Sequence, residues 1–195
     1  DCVVLYDPDP GRWPLGWGDL LYKFVAERGG GLVFVAGAQR TATLLDEGEA
    51  IGSKRDWRRL LPVVREPGEY RADLAGVLER GALWRFELTQ AGRESEVFRF
   101  VEDAERNAQT LRDLPGMYWH LPVTRERPGA VVLARHGDER MRNRHGRHVI
   151  LATQLFGPGR TWFVGVDSIY RWRYLGEEVY AGFWARLLSS AARGR

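Results

Sequence analysis

Apolar positions along the chain fall into compact runs separated by polar or glycine-rich stretches, and the spacing inside each run suggests what it forms. Residues 2–6 are a short apolar run closed by Asp7-Pro8-Asp9-Pro10, the pattern of a buried strand that ends in a turn. Across residues 18–28, Leu20, Leu21, Phe24 and Val25 share one face at helical spacing. Gly29-Gly30-Gly31 stops that helix, and the run 32–36 predicts a second buried strand. Strand, helix and strand in this order make a βαβ unit, whose two strands pair in parallel.

Residues 37–83 are less regular, with Leu60-Leu61-Pro62-Val63 set among turn signals. Residues 84–88 and 97–101 read as short strands. Residues 102–113 read as a helix opened by Glu102 and Asp103, since acids suit a helix N-terminus. The last third predicts strands at 130–134, 149–152 and 162–166, joined by polar or glycine-rich links as in a meander. The run 162–166 is apolar on both faces, which places it at or near the centre of a sheet. A closing helix over 177–192 carries Val179, Phe183, Trp184, Leu187 and Leu188 on its apolar side. The whole pattern predicts a three-layer, flavodoxin-like α/β domain with a mixed, mostly parallel sheet.

Composition adds bounds. A length of 195 residues fits one domain, 1–195. Eight Trp and 12% aromatic residues point to a substantial core or an adhesive face. The net charge is only +3, and Lys23 and Lys54 are the only lysines among 29 cationic residues. The arginines form no stripe, so they read as default surface cations and no nucleic-acid partner is expected. The single cysteine, Cys2, excludes an intrachain structural disulfide. No stretch approaches the ~20 apolar residues of a membrane span, and no signal peptide is present. The chain opens directly on strand residues without a Met, which is expected of a domain excised from a longer protein.

Three constellations bear on chemistry. The first is Gly29-Gly30-Gly31-Leu32-Val33-Phe34-Val35-Ala36-Gly37-Ala38-Gln39, a glycine-rich entry, a buried strand and a tight exit. The second is Gly157-Pro158-Gly159-Arg160-Thr161-Trp162-Phe163-Val164-Gly165-Val166-Asp167-Ser168, followed by Arg171-Trp172-Arg173 and by Tyr180, Phe183 and Trp184. The third, residues 136–148, holds His136, His145 and His148 among arginines. His145 and His148 with Asp138 or Glu139 could in principle ligate a metal. The spacing matches no strong motif and the neighbouring arginines repel a cation, so a solvated hairpin loop without a metal is expected.

The first two constellations resemble class I glutamine amidotransferase-like domains of large bacterial membrane-anchored proteins, often ones that also carry a von Willebrand factor A domain. Their order is shared by Asp1-Cys2-Val3-Val4-Leu5-Tyr6-Asp7, Leu60-Leu61-Pro62-Val63, Phe86-Glu87-Leu88-Thr89-Gln90-Ala91-Gly92 and Leu114-Pro115-Gly116-Met117-Tyr118, so the resemblance spans nearly the whole chain. It implies the fold named above and, through flanking segments, a parent protein at the membrane. The family's further strand–helix unit before the opening strand has no counterpart here. Active members carry a Cys in Gly-x-Cys-x-Gly at the strand exit; here that place is Val35-Ala36-Gly37-Ala38, where no acyl-enzyme can form. Active members also place a His, with an acid two residues on, after a late strand; here the exit carries Asp167 and Ser168 and no His.

Open α/β sheets bind ligands at the carboxyl ends of their strands. Asp7, Asp9, Gly37, Gln39, Asp167 and Ser168 fall at such ends, with Arg171 and Arg173 as ion-pair partners for Asp167. These eight residues are the candidate cleft, and no cofactor is implied. The expected function is a non-catalytic module that binds a protein or small molecule. The alternative is a hydrolase or sugar-processing enzyme in which Asp7, Asp9 and Asp167 supply the acids.

Overall fold

The computed structural model describes residues 1–46, 54–66 and 83–193. Parts of the irregular excursion, 47–53 and 67–82, lie outside the described residues. The opening βαβ unit is β1 (Cys2–Tyr6), α1 (Trp17–Ala26) and β2 (Gly31–Val35). A short α2 (Thr41–Asp46) follows, then β3 (Val63–Val64), β4 (Phe86–Leu88), α3 (Gln90–Glu94) and α4 (Ala104–Asp113). The remainder is β5 (Arg125–Glu126), β6 (Val131–His136), β7 (Arg142–Asn143), β8 (Gly146–Arg147), β9 (Val149–Phe156), β10 (Gly159–Val164) and α5 (Glu177–Ala192). A 3₁₀ segment, Ser168–Tyr174, joins β10 to α5.

The main sheet has six strands in the order β1-β2-β10-β9-β6-β4. Parallel pairing is at the β1–β2–β10 edge; β10, β9, β6 and β4 then pair antiparallel. As its two-sided apolarity requires, β10 is internal, between β2 and β9.

Alternation along the buried strands creates two cores and hence three layers. On β2 and β10, Val33, Val35, Trp162 and Val164 join Phe183 and Leu187 of α5 on one face. Leu32, Phe34 and Phe163 join Leu21 and Val25 of α1, with Trp57, Leu60 and Leu61, on the other. The second layer is anchored by polar groups as well. Thr161 Oγ1 donates to the Leu60 carbonyl (2.6 Å), and Gln154 Nε2 donates to the same carbonyl (2.8 Å). The Leu60-Leu61 segment is thereby tied to the sheet.

One expected strand is absent. Residues 97–101 are not extended: a 3₁₀ turn occupies Glu96–Phe98. Ser95 accepts from the Val97 N–H, and the Asn107 side chain accepts from the Phe100 and Val101 N–H groups, so local side chains take the donors that a sheet ladder needs. Asp103 caps α4 by accepting from the Arg106 N–H at 2.8 Å. Among the described residues no helix is long and apolar enough to cross a membrane.

Candidate functional site

The carboxyl ends of β1, β2 and β10 lie side by side, so they gather Asp7, Gly37 and Asp167 at one rim. Asp7 leaves β1 with φ +38°, a left-handed conformation costly for any residue with a Cβ and least so for Asp and Asn. Its carboxylate is the reason the strain is tolerated. Oδ1 accepts from the backbone N–H of Arg40 (3.0 Å) and Thr41 (2.9 Å) and from Thr41 Oγ1 (2.7 Å), and Oδ2 accepts from the Gln39 N–H (3.3 Å). Thr41 Oγ1 in turn accepts from the Gly37 N–H (2.9 Å). Asp7 therefore acts across the sheet as the cap of α2. Gly37 is buried against it: a Cβ at Gly37 would lie 2.3 Å from Cβ of Asp7.

Asp9 accepts from the Gly11 N–H (3.0 Å) and lies beside Arg12 (3.6 Å) and Arg40 (3.4 Å). Gln39 contributes only its backbone to the network, and its side chain is exposed. Each acid at this end of the opening strand already has its donors.

The expected ion pair from Asp167 to Arg171 or Arg173 is not formed. Asp167 instead accepts from Ser168 Oγ (2.6 Å), and its carbonyl accepts from the Tyr6 hydroxyl (3.0 Å). Arg171 Nε donates to the Gly116 carbonyl (2.9 Å), and its guanidinium lies over the rings of Tyr118 (4.6 Å) and Tyr174 (5.8 Å). Arg173 pairs with Glu177 (3.3 Å) and covers Tyr180 (4.1 Å). Aromatic faces thus compete successfully for both guanidiniums, a geometry open to a planar, weakly hydrated cation. Trp172 points the other way, fully buried, with its ring 4.8 Å from that of Phe183.

This rim is an aromatic surface. Tyr6, Tyr118, Tyr170 and Tyr174 are 57%, 47%, 51% and 76% exposed. The Tyr6 phenol is pushed above its ordinary range by partial burial, and then by the nearby charges of Asp167 and Asp7. No thiol is available at the rim. Cys2 sits at the opposite end of β1, half-buried, and burial pushes its thiol up.

The histidine-bearing loop departs from expectation at its neck. His136 and His148 are 1% and 5% exposed, and His120, from the apolar stretch before β5, is 2% exposed beside them. His120 Nε2 and His148 Nδ1 are hydrogen-bonded at 2.9 Å; His136 stacks on Trp84 at 3.9 Å and accepts the Asp138 N–H at Nδ1. Burial, then the neighbouring histidines, hold His120 well below the usual range and His136 at about 4. Beyond this neck the loop is solvent-facing as expected, with Gly137, Glu139, Arg140, Arg142, Arg144 and His145 exposed. Sequence reading missed this cluster, although a histidine between Trp119 and Leu121 was a signal of burial. Among the described residues no group of three or more His, Cys, Asp or Glu is disposed to hold a metal.

The arrangement defines a three-layer α/β domain whose strand-end acids are occupied and whose rim is rich in tyrosine. No protein-family model matches the chain and no curated protein does. Solved structures that share its fold include two from Salmonella typhimurium. Cytoplasmic Protein STM3548 from Salmonella typhimurium superposes with a TM-score of 0.60 at 16% identity, covering 99% of this chain and 72% of that one. Cytoplasmic Protein STM1381 from Salmonella typhimurium LT2 gives 0.56 at 16% identity, covering 98% and 72%.

Proposed function

We propose that this chain is a non-catalytic binding module that uses the carboxyl-end rim to engage a protein partner. The observation that carries the reading is the exposed cluster of Tyr6, Tyr118, Tyr170 and Tyr174 with the Arg171 guanidinium laid across two of the rings. Tyr and Arg are among the residues that concentrate binding energy at protein interfaces; a Tyr ring buries much area at low entropic cost, and a guanidinium held against it is already positioned. The carboxylates that a hydrolytic alternative needs are already engaged: Asp7 by four donors, Asp9 by a backbone N–H and two arginines, and Asp167 by Ser168. The glutamine amidotransferase-like resemblance supports the same reading, since Ala36-Gly37-Ala38 stands where a nucleophile belongs. That resemblance alone carries the further part of the proposal, a parent protein anchored in a bacterial membrane.

The test is site-specific photocross-linking in the parent protein. A benzophenone side chain at Tyr170 or Tyr174 should give one discrete protein adduct, and one at Leu20, exposed on α1, should not. Equal labelling from all three positions, or none from the rim, would overturn the proposal.

A further inference from the structure

At the other end of the sheet lies a cavity of about 710 Å³ that none of the foregoing uses. Its floor is the sheet face formed by Val131 and Leu133 of β6, Thr153 of β9 and Arg160 and Trp162 of β10. One wall is the last half of α5, with Arg186, Ser189, Ser190 and, just beyond the helix, Arg193; the other is Ala91 and the Ser95–Val97 turn. Arg160 is the second residue of β10, whose carboxyl end faces the tyrosine rim, so the cavity and the rim are at opposite ends of the parallel strands.

Its lining is cationic, with Arg160, Arg186 and Arg193 against one acid among the described residues, Glu96. Arg160 Nε, Arg186 Nη1 and Trp162 Nε1 are each buried with no hydrogen-bond partner among the described residues, and Trp162 itself is only 2% exposed. The acid on the described lining, Glu96, is held by Arg99 at 2.9 Å. Arg186 is set in place by the helix: a Cβ at Gly182, one turn earlier, would come within 2.7 Å of its Nη1. Buried guanidinium donors without acceptors are costly, and three like charges on one cavity repel. A multiply charged anion in the cavity offsets the repulsion among the three arginines, and the guanidinium fork fits phosphate oxygens. Ser95, Ser189, Ser190 and Thr153 add hydroxyls, while Val97, Val131, Leu133 and the Trp162 ring give the floor apolar area. The volume lies in the range of small-molecule sites, roughly 300–1,000 Å³.

We propose that this cavity binds a small organic phosphomonoester, its phosphate held by Arg160 and Arg186 with Arg193 at the mouth and its apolar body against Trp162. The inference is independent of the rim and its partner.

Calorimetric titration of the whole chain with phenyl phosphate, inorganic phosphate, benzoate and phosphatidate vesicles tests it. Phenyl phosphate should bind saturably at one site, more tightly than inorganic phosphate or benzoate. Arg160→Gln and Arg186→Gln should each weaken it by about tenfold or more, and Arg12→Gln, a change of an exposed arginine at the other end, should leave it unchanged. Melting curves of the variants establish that they fold, and Arg160→Lys, which keeps the charge and loses the fork, should retain part of the affinity. Absence of saturable binding, or equal binding by the folded Gln variants, would overturn the site. Inorganic phosphate binding as tightly as phenyl phosphate would overturn the organic body, and binding confined to vesicles would overturn a free small molecule.

Discussion

Acidification should destabilise the fold between pH 8 and pH 5, through the buried histidines. His136 is held at about 4 against an ordinary value of 6.5 because burial and His148 penalise its charged form. A folded value below the unfolded one means that the unfolded state binds the proton first. The stability contribution is therefore complete above the unfolded value and is lost as pH falls through 6.5 towards 4. For His136 alone the loss reaches about 2 kcal/mol at pH 5 and ~3 kcal/mol below pH 4. His120 is displaced in the same direction by burial and by its histidine neighbours, so it adds to the loss with the same sign. A chain of this length shifts its melting temperature by roughly 2–4 °C per kcal/mol, so the drop from His136 alone is on the order of 4–8 °C at pH 5. The carboxylates stay out of this window: Asp138, held at about 2 by Arg140, loses its contribution only as pH falls below its ordinary 3.8. Urea unfolding at pH 8, 7, 6 and 5, for the wild type and for His136→Phe, reads the effect. The variant keeps an aromatic ring against Trp84 and should lose the part of the pH dependence that His136 carries, about 2 kcal/mol at pH 5. A flat stability profile in the wild type, or an undiminished slope in the variant, would refute the reasoning.

Other consequences follow from the rim. Asp7→Ala should cost about 3–4 kcal/mol, because four donors lose their acceptor, while Asp7→Gly should cost roughly 1 kcal/mol less, since glycine relieves the left-handed backbone; equal values from urea unfolding would remove strain from the account. Asp167→Ala should change stability by no more than about 1 kcal/mol, as it gives up a hydrogen bond with Ser168 and no ion pair; a loss of several kcal/mol would restore the buried pair. Trp172→Ala should cost ~3–5 kcal/mol, read by the same denaturant titration, because its ring fixes the 3₁₀ segment against Phe183.

Much of the fold was legible because burial on both faces leaves a plain mark. The run containing Trp162, Phe163 and Val164 is apolar throughout, and it lies inside the sheet. The closing helix, read over 177–192, is Glu177–Ala192, because Val179, Phe183 and Leu187 recur at helical spacing. What escaped notice was polarity inside the core. Strand β9 runs past 152 to Phe156; Thr153 and Gln154 hid its second half, although both are buried and hydrogen-bonded to the Thr161 and Leu60 carbonyls. The histidines were obscured by neighbouring arginines: His136 and His148 face each other across the loop's neck, with the His136 N–H donating to the His148 carbonyl at 2.9 Å, and the third ring comes from a distant segment. At the site, strand ends correctly located Asp7, Gly37 and Asp167, but charge complementarity alone misassigned Arg171 and Arg173. Their aromatic partners, Tyr118, Tyr174 and Tyr180, depend on tertiary placement that spacing does not encode.

The central claim is that the strand-end acids and the Ala36-Gly37-Ala38 turn belong to a binding surface without turnover. Its most direct measurement is product release from glutamine, followed as ammonia, and from a panel of ester and glycoside substrates. The wild type and the doubly substituted Asp9→Asn, Asp167→Asn chain are compared, with Asp7 left in its structural role. The account predicts no turnover above a heat-inactivated control by either protein. Turnover by the wild type that disappears in the double variant would contradict it.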